Sequence, residues 1–248
     1  MDEQLTLEVW RQPGGDAPGA FVTYLVDGVR PEMSLLEVLD LLNEQLVDSG
    51  TEPIVFDSDC REGICGACGI TVNGRPHGPV PNTPSCMQHL WQFPEDSHLR
   101  LEPLRANAFP VVHDLAVDRS ALDRVIEAGG HVDVRTGQAA DADTGLIPHD
   151  VAEEALDFAA CIGCGACVAA CPNGAAHLFA GAKLLHLSML TYGKQERSRR
   201  ARAITGQLDD DFGPCSTFGE CAQVCPADID LAAVAAVNRE AMRAAFRR

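Results

Sequence analysis

The chain has 248 residues, 46% hydrophobic and 22% charged, so it can bury a core and is not a disordered segment. Nineteen Lys and Arg against 36 Asp and Glu give a net charge of −17, which excludes a general nucleic-acid binder, since that role needs cations to displace phosphate counterions. The length allows one or two domains, and residues 1–8 hold no basic segment leading into an apolar one, so no secretory signal is expected.

Residues 5–9 alternate apolar and polar and predict a strand. A second β-rich run covers 21–26, and the Pro/Gly-rich stretch 13–19 between them suits a hairpin loop. Ser34 and Glu37 have the spacing of a capping box. It opens a predicted helix over 35–47, with Leu35, Val38, Leu39, Leu42 and Leu46 on one face. Residues 70–72, the Asn73-Gly74 turn and 98–101 give further strand signals, with a proline-rich loop over 76–84. Beyond about residue 103 these signals fade. Alanine-rich helices are predicted over 120–128, 177–190, 195–204 and 229–246, and 129–148 reads as a connecting loop. The change of texture falls near 104–109 and divides the chain into 1–106 and 107–248. Residues 158–182 carry no charge and are long enough to raise a membrane span. Pro172, Asn173, several glycines and four cysteines predict buried structure there instead.

Eleven cysteines are an odd number, and a disulfide framework would leave one over. Clustered thiols in a reducing compartment are more often metal ligands. They form three groups. Cys60, Cys65 and Cys68, followed by Cys86, have the C-x4-C-x2-C…C spacing that holds a 2Fe–2S cluster in plant-type ferredoxins. Gly63, Gly66 and Gly69 relieve crowding where one short loop wraps an inorganic core. The alternative is zinc on Cys65, Cys68, Cys86 and His89. It leaves Cys60 idle and the glycines unexplained. No histidine lies near Cys60 or Cys65, which excludes a Rieske arrangement.

Cys161, Cys164, Cys167 and Cys171-Pro172 form the C-x2-C-x2-C-x3-C-P run of bacterial ferredoxins. Cys215, Cys221 and Cys225-Pro226 repeat it 54 residues later, and the echo of Cys164 is Phe218. In two-cluster ferredoxins the fourth cysteine of each run ligates the other cluster. This rule puts Cys161, Cys164, Cys167 and Cys225 on a 4Fe–4S cluster. It leaves Cys171, Cys215 and Cys221 for a 3Fe–4S cluster, with Phe218 at the corner lacking iron. No cysteine is left over. A 4Fe–4S cluster with one non-cysteine ligand is the alternative at the third site, and two zinc sites or buried cysteines are the alternative for this half. No nucleophilic triad, phosphate loop or paired-carboxylate site is legible, so three one-electron centres read as a wire.

The order of these motifs, with residues 110–118 and 171–175, resembles the iron–sulfur subunit of succinate dehydrogenase and fumarate reductase, the respiratory complex II family. The resemblance covers nearly the whole chain. It implies an α+β chain, with an N-terminal β-grasp plant-type ferredoxin domain followed by an all-α bacterial-ferredoxin-like domain. It implies electrons passing from the FAD of a flavoprotein subunit through 2Fe–2S, 4Fe–4S and 3Fe–4S clusters to quinone, near Cys171, Cys215 and Cys221. A membrane-anchor cytochrome b-type subunit would hold the chain peripherally on the cytoplasmic face of the cell membrane. Reverse flow, as a fumarate reductase, and service in a related soluble reductase are the alternatives. Ubiquinone-reducing relatives carry Trp and His where Ala176 and Ser216 stand, which favours menaquinone. The dense basic run 194–202 reads as a solvated helix face, or as a surface for anionic headgroups or an acidic partner.

Overall fold

The computed structural model describes residues 3–94, 98–132, 146–190 and 193–246. Most of the expected connecting loop, from 133 to 145, lies outside them. β1 (Glu3–Arg11) and β2 (Ala20–Val29) form the antiparallel hairpin that the alternation predicts. α1 (Leu35–Asp48) starts at the capping box. Ser34 Oγ accepts from the Glu37 N–H at 3.3 Å, and Glu37 Oε2 accepts from the Ser34 N–H at 2.6 Å. Its five predicted apolar residues are all buried. β3 (Ile70–Val72), β4 (Arg75–Pro76) and β5 (Leu99–Pro103) complete a sheet of order β2-β1-β5-β3-β4. The β1–β5 pair is parallel and the others are antiparallel. One core joins Leu7, Val9, Leu99 and Leu101 of the sheet to Leu35 and Leu39 of α1.

The stretch expected to be wholly helical opens with a hairpin, β6 (Val111–His113) and β7 (Ala116–Val117). Strands of three and two residues are too short for periodicity to register, and Asp114 turns the chain at φ 46°. This hairpin is a seam. Leu115 joins the sheet-side core, whereas Phe109, Val111 and Val117 join a second core built by the helices. Asp114, 1% exposed, accepts from Arg11 Nε at 3.1 Å, the Gln12 N–H at 2.8 Å and the Val55 N–H at 3.0 Å.

Seven helices are described in the second half: α2 (Ser120–Val125), α3 (His149–Ala159), α4 (Ala166–Ala170), α5 (His177–Met189), α6 (Lys194–Asp211), α7 (Glu220–Gln223) and α8 (Ala232–Ala245). A π-turn over Ile126–Gly130 extends α2. Of the four predicted helices, that of 195–204 runs on to Asp211. The helices not predicted are α3 and the short α4 and α7 inside the two cysteine runs. α5 and α8 cross closely, because a Cβ on Gly181 would lie 1.9 Å from the Ala233 carbonyl oxygen. Among the described residues no helix is long and apolar enough to cross a membrane. The uncharged run 158–182 is broken by loops on either side of α4.

The basic run of α6 is divided: Arg197 is half-buried and Arg200 buried, whereas Lys194, Arg199 and Arg202 are exposed. Arg197 donates to both carboxylate oxygens of buried Glu240 on α8, at 2.5 and 2.6 Å. Arg200, 1% exposed, donates to the Gly129 carbonyl at 2.9 Å and to Glu196 at 2.8 Å. Arg197 and Arg200 therefore fasten helices together, while Lys194, Arg199 and Arg202 keep the exposed side of the run basic. Burial pushes the Glu240 carboxyl up, but Arg197 and Arg243 outweigh it and hold the group below its ordinary value. A depressed carboxyl contributes stability above the ordinary carboxylate range and loses it as pH falls through the folded value. Glu240→Gln is expected to cost about 2–3 kcal/mol at neutral pH, since charge-assisted bonds to two arginines are lost. Urea unfolding of the variant at pH 7 checks this, and the difference should shrink in acid.

Candidate metal centres

None of the eleven cysteines is in a disulfide. The first group lies on the loop before β3 and on a 3-10 turn over Ser85–Met87 that carries Cys86. Cys60 Sγ accepts from the Glu62 N–H and Cys65 Sγ from the Ala67 N–H, each at 3.4 Å. The backbone N–H groups of Glu62 and Ile64 lower the Cys60 thiol to about 7. A hydrogen bond from Cys68 lowers Cys86 to about 6, and the same bond, with burial, raises Cys68. These thiols are neighbours in a field that favours ionised sulfur at two of them, as ligation to iron requires.

Two residues outside the motif hold Cys86 in place. Buried His77 accepts the Ser85 N–H at Nδ1, at 3.2 Å, and Ser85 Oγ accepts from the Ile70 N–H at 3.2 Å. Burial, aided by the charge of Arg119, pushes His77 down to about 4, so its ring is neutral and Nδ1 is free to accept. His77 stands within the proline-rich loop, where no spacing marks it. The zinc set is not assembled: among the described residues no three His, Cys, Asp or Glu side chains converge on a single-ion position. His89 instead starts a 3-10 turn and stacks on Trp91, ring centroids 6.4 Å apart.

Cys161, Cys164, Cys167 and Cys225 line one small cavity, walled by Leu178, Phe179 and Ile229. Cys225 Sγ accepts from the Ile229 N–H at 3.4 Å. Burial raises Cys164 to about 12 and raises Cys167 and Cys225 as well, with the neighbouring thiolates adding to it. Free thiolates are disfavoured in this apolar cavity, and a cationic iron core would supply the charge that holds them ionised.

Cys171, Cys215 and Cys221 line a separate cavity of about 340 Å³. Phe218 is on its wall and offers no ligating atom. Cys215 Sγ accepts from the Thr217 N–H at 3.4 Å. Each cavity thus takes one cysteine from the opposite run. Asn173 ties the two runs, donating to the Pro214 carbonyl at 2.9 Å and to Ser216 Oγ at 2.8 Å. Ala176 is fully buried at the start of α5. The rest of the cavity wall is mainly apolar, with Leu178, Leu231 and Val234 beside His177 and Asn238.

The first group adjoins the second, and the second adjoins the third. Gly66, between Cys65 and Cys68, touches the first bacterial-type loop. A Cβ there would lie 2.3 Å from the Ile162 carbonyl oxygen and 3.1 Å from the Cys164 nitrogen. At the other end, Cys221 of the third group is close enough to Cys167 of the second to raise its thiol.

Residues 6–124 match a family model described as a 2Fe-2S iron-sulfur cluster binding domain, and residues 160–229 match a 4Fe-4S dicluster domain. The chain is 30% identical to the succinate dehydrogenase iron-sulfur subunit of Bacillus subtilis, across 100% of this chain and 97% of that one. It is 29% identical to the fumarate reductase iron-sulfur subunit of Wolinella succinogenes, across 98% of each. In fold it is similar to a chain of the Mycobacterium smegmatis Sdh1 complex in the apo form, with a TM-score of 0.70, 23% identity and coverage of 100% of this chain and 98% of that one.

Proposed function

Since the chain belongs to the family of succinate dehydrogenase and fumarate reductase iron–sulfur subunits, we propose that it relays electrons singly from a flavoprotein subunit's FAD to quinone. The chain itself is a relay without a substrate site of its own. Cys60, Cys65, Cys68 and Cys86 hold a 2Fe–2S cluster. Cys161, Cys164, Cys167 and Cys225 hold a 4Fe–4S cluster. Cys171, Cys215 and Cys221 hold a 3Fe–4S cluster. The observation that carries this reading is the division of the seven later cysteines between two cavities, four in one and three in the other. Bound iron and sulfide supply the one-electron chemistry; the chain supplies thiolates, N–H donors to sulfur and an apolar surround that tunes each potential.

The sheet with α1 takes the β-grasp, plant-type ferredoxin form over 1–106, and 107–248 the bacterial-ferredoxin-like form. The 2Fe–2S end meets the flavoprotein, where Ile64 and Trp91 stand 69% and 65% exposed beside the first cysteines. The other end meets a membrane-anchor cytochrome b-type subunit, on the cytoplasmic face of the cell membrane. The largely apolar cavity at Cys171, Cys215 and Cys221 suits quinone. Ser216 and Ala176, in place of His and Trp, favour menaquinone. Flow in the direction of succinate oxidation is the first reading and fumarate reduction the second.

EPR of the purified complex, oxidised and then dithionite-reduced, with iron and sulfide analysis, tests the reading. About nine irons per chain are expected, with an oxidised-state signal from the 3Fe–4S centre. Zinc without sulfide would overturn it. Phe218→Cys supplies the missing thiolate and is expected to raise the count to about ten irons and remove the oxidised-state signal.

A further inference from the structure

Arg119, just after β7, is not marked by any cysteine spacing, yet it lies between two cysteine loops. Its Nη1 donates to the Gly66 carbonyl and, at 3.1 Å, to the carbonyl of Cys164; its Nη2 donates to the Ala67 carbonyl at 3.4 Å. Gly66 and Ala67 separate Cys65 from Cys68, and Cys164 is itself a proposed ligand. One planar fork thus spans two loops that are already in backbone contact at Gly66. Among the described residues no carboxylate lies within ion-pair distance of Arg119. The neighbouring Asp118 carboxylate instead accepts from the Ser120 N–H at 2.8 Å. Asp123 lines the same cavity as Arg119, Cys65 and Cys161 without pairing to it.

We propose that Arg119 is a positioning residue for electron transfer between the first two centres, clamping their loops together and, through its unpaired charge, holding both potentials up. The proposal rests on reading those cysteine groups as 2Fe–2S and 4Fe–4S clusters. Adding an electron makes a cluster more negative, so a fixed cation beside it favours the reduced form. Low local dielectric at the half-buried fork strengthens the effect. Among the described residues the hydrogen bonds of Arg119 go to the first two loops and none goes to Cys171, Cys215 or Cys221.

The test is a redox titration of the intact complex, followed by EPR, in the wild type, Arg119→Met and Arg119→Lys. Wild-type protein without the first two cluster signals would overturn the parent reading, whatever the variants do. With those signals present, Arg119→Met is expected to lower both one-electron equilibria about tenfold, near 59 mV each, and to leave the 3Fe–4S potential in place. Arg119→Lys keeps the charge and should stay near the wild-type values, with slower transfer between the first two centres. Intact clusters with unmoved potentials in Arg119→Met would overturn the proposal, as would an equal shift at the third centre. Where Arg119→Met fails to retain its clusters, Arg119→Lys decides. Clusters retained at wild-type potentials support the proposal, and clusters lost from both variants overturn the role of charge.

Discussion

Cys225→Ala is expected to remove the 4Fe–4S centre and spare the 3Fe–4S centre, although Cys225 belongs to the second cysteine run. A reading that kept each run to its own cluster would have the same change strike the third centre. The structure separates the two outcomes because Cys225 shares its cavity with Cys161, Cys164 and Cys167, whereas Cys171 faces the other cavity with Cys215 and Cys221. Iron should fall from about nine to about five per chain, with the oxidised-state 3Fe–4S signal retained and the signal of the reduced 4Fe–4S cluster gone. Quinone reduction by the complex should be lost almost entirely, since the centre that adjoins both others is missing. Cys171→Ala is the reciprocal variant and should lose the oxidised-state signal alone. It also guards against collapse of the helical core, to which Cys225 belongs and the less buried Cys171 does not. If Cys225→Ala removed the 3Fe–4S signal and Cys171→Ala the 4Fe–4S signal, the crossed ligand sets would be wrong.

The grouping of the later cysteines was legible because spacing survives in a bare sequence, and the structure brings Cys161, Cys164, Cys167 and Cys225 to one cavity and Cys171, Cys215 and Cys221 to another. The same holds for α1, whose capping box and five buried apolar positions are local patterns. Signals that depend on distant packing did not register. β6 and β7 are too short to show a period, and buried Asp114, which pins that hairpin to Arg11, Gln12 and Val55, has no local marker. α3 has only Ala155 and Phe158 buried, so its apolar stripe is thin. The inward part of the basic run of α6 left no local mark, because Glu240, the partner of Arg197, lies 43 residues away along the chain. Arg119 and His77 were missed for a related reason. Arg119 acts on carbonyls of loops 45 and 53 residues away and His77 on an N–H eight residues on, and a residue bonded to backbone groups leaves no partner pattern to read.

Gly66→Ala is expected to disturb the relay without touching a ligand. Two separate effects act at this position. Gly66 has φ +73°, which an L side chain adopts only at a cost of roughly 1 kcal/mol. A Cβ would also meet the Ile162 carbonyl oxygen at 2.3 Å, and that neighbour is backbone, so the two loops must separate rather than a side chain rotate. Overpacking of this kind costs typically 1–3 kcal/mol. Gly74→Ala isolates the second effect. Gly74 has nearly the same φ, +78°, and nothing lies within 4 Å of a Cβ built there. Urea unfolding should therefore show Gly66→Ala to be less stable than Gly74→Ala by about 1–3 kcal/mol. Rapid mixing with reductant should show slower arrival of electrons at the 3Fe–4S centre in Gly66→Ala alone, because only that variant forces the first two centres apart. Equal stability and equal electron arrival in the two variants would mean that the contact at Gly66 is incidental, and that the loops hold their spacing by other means.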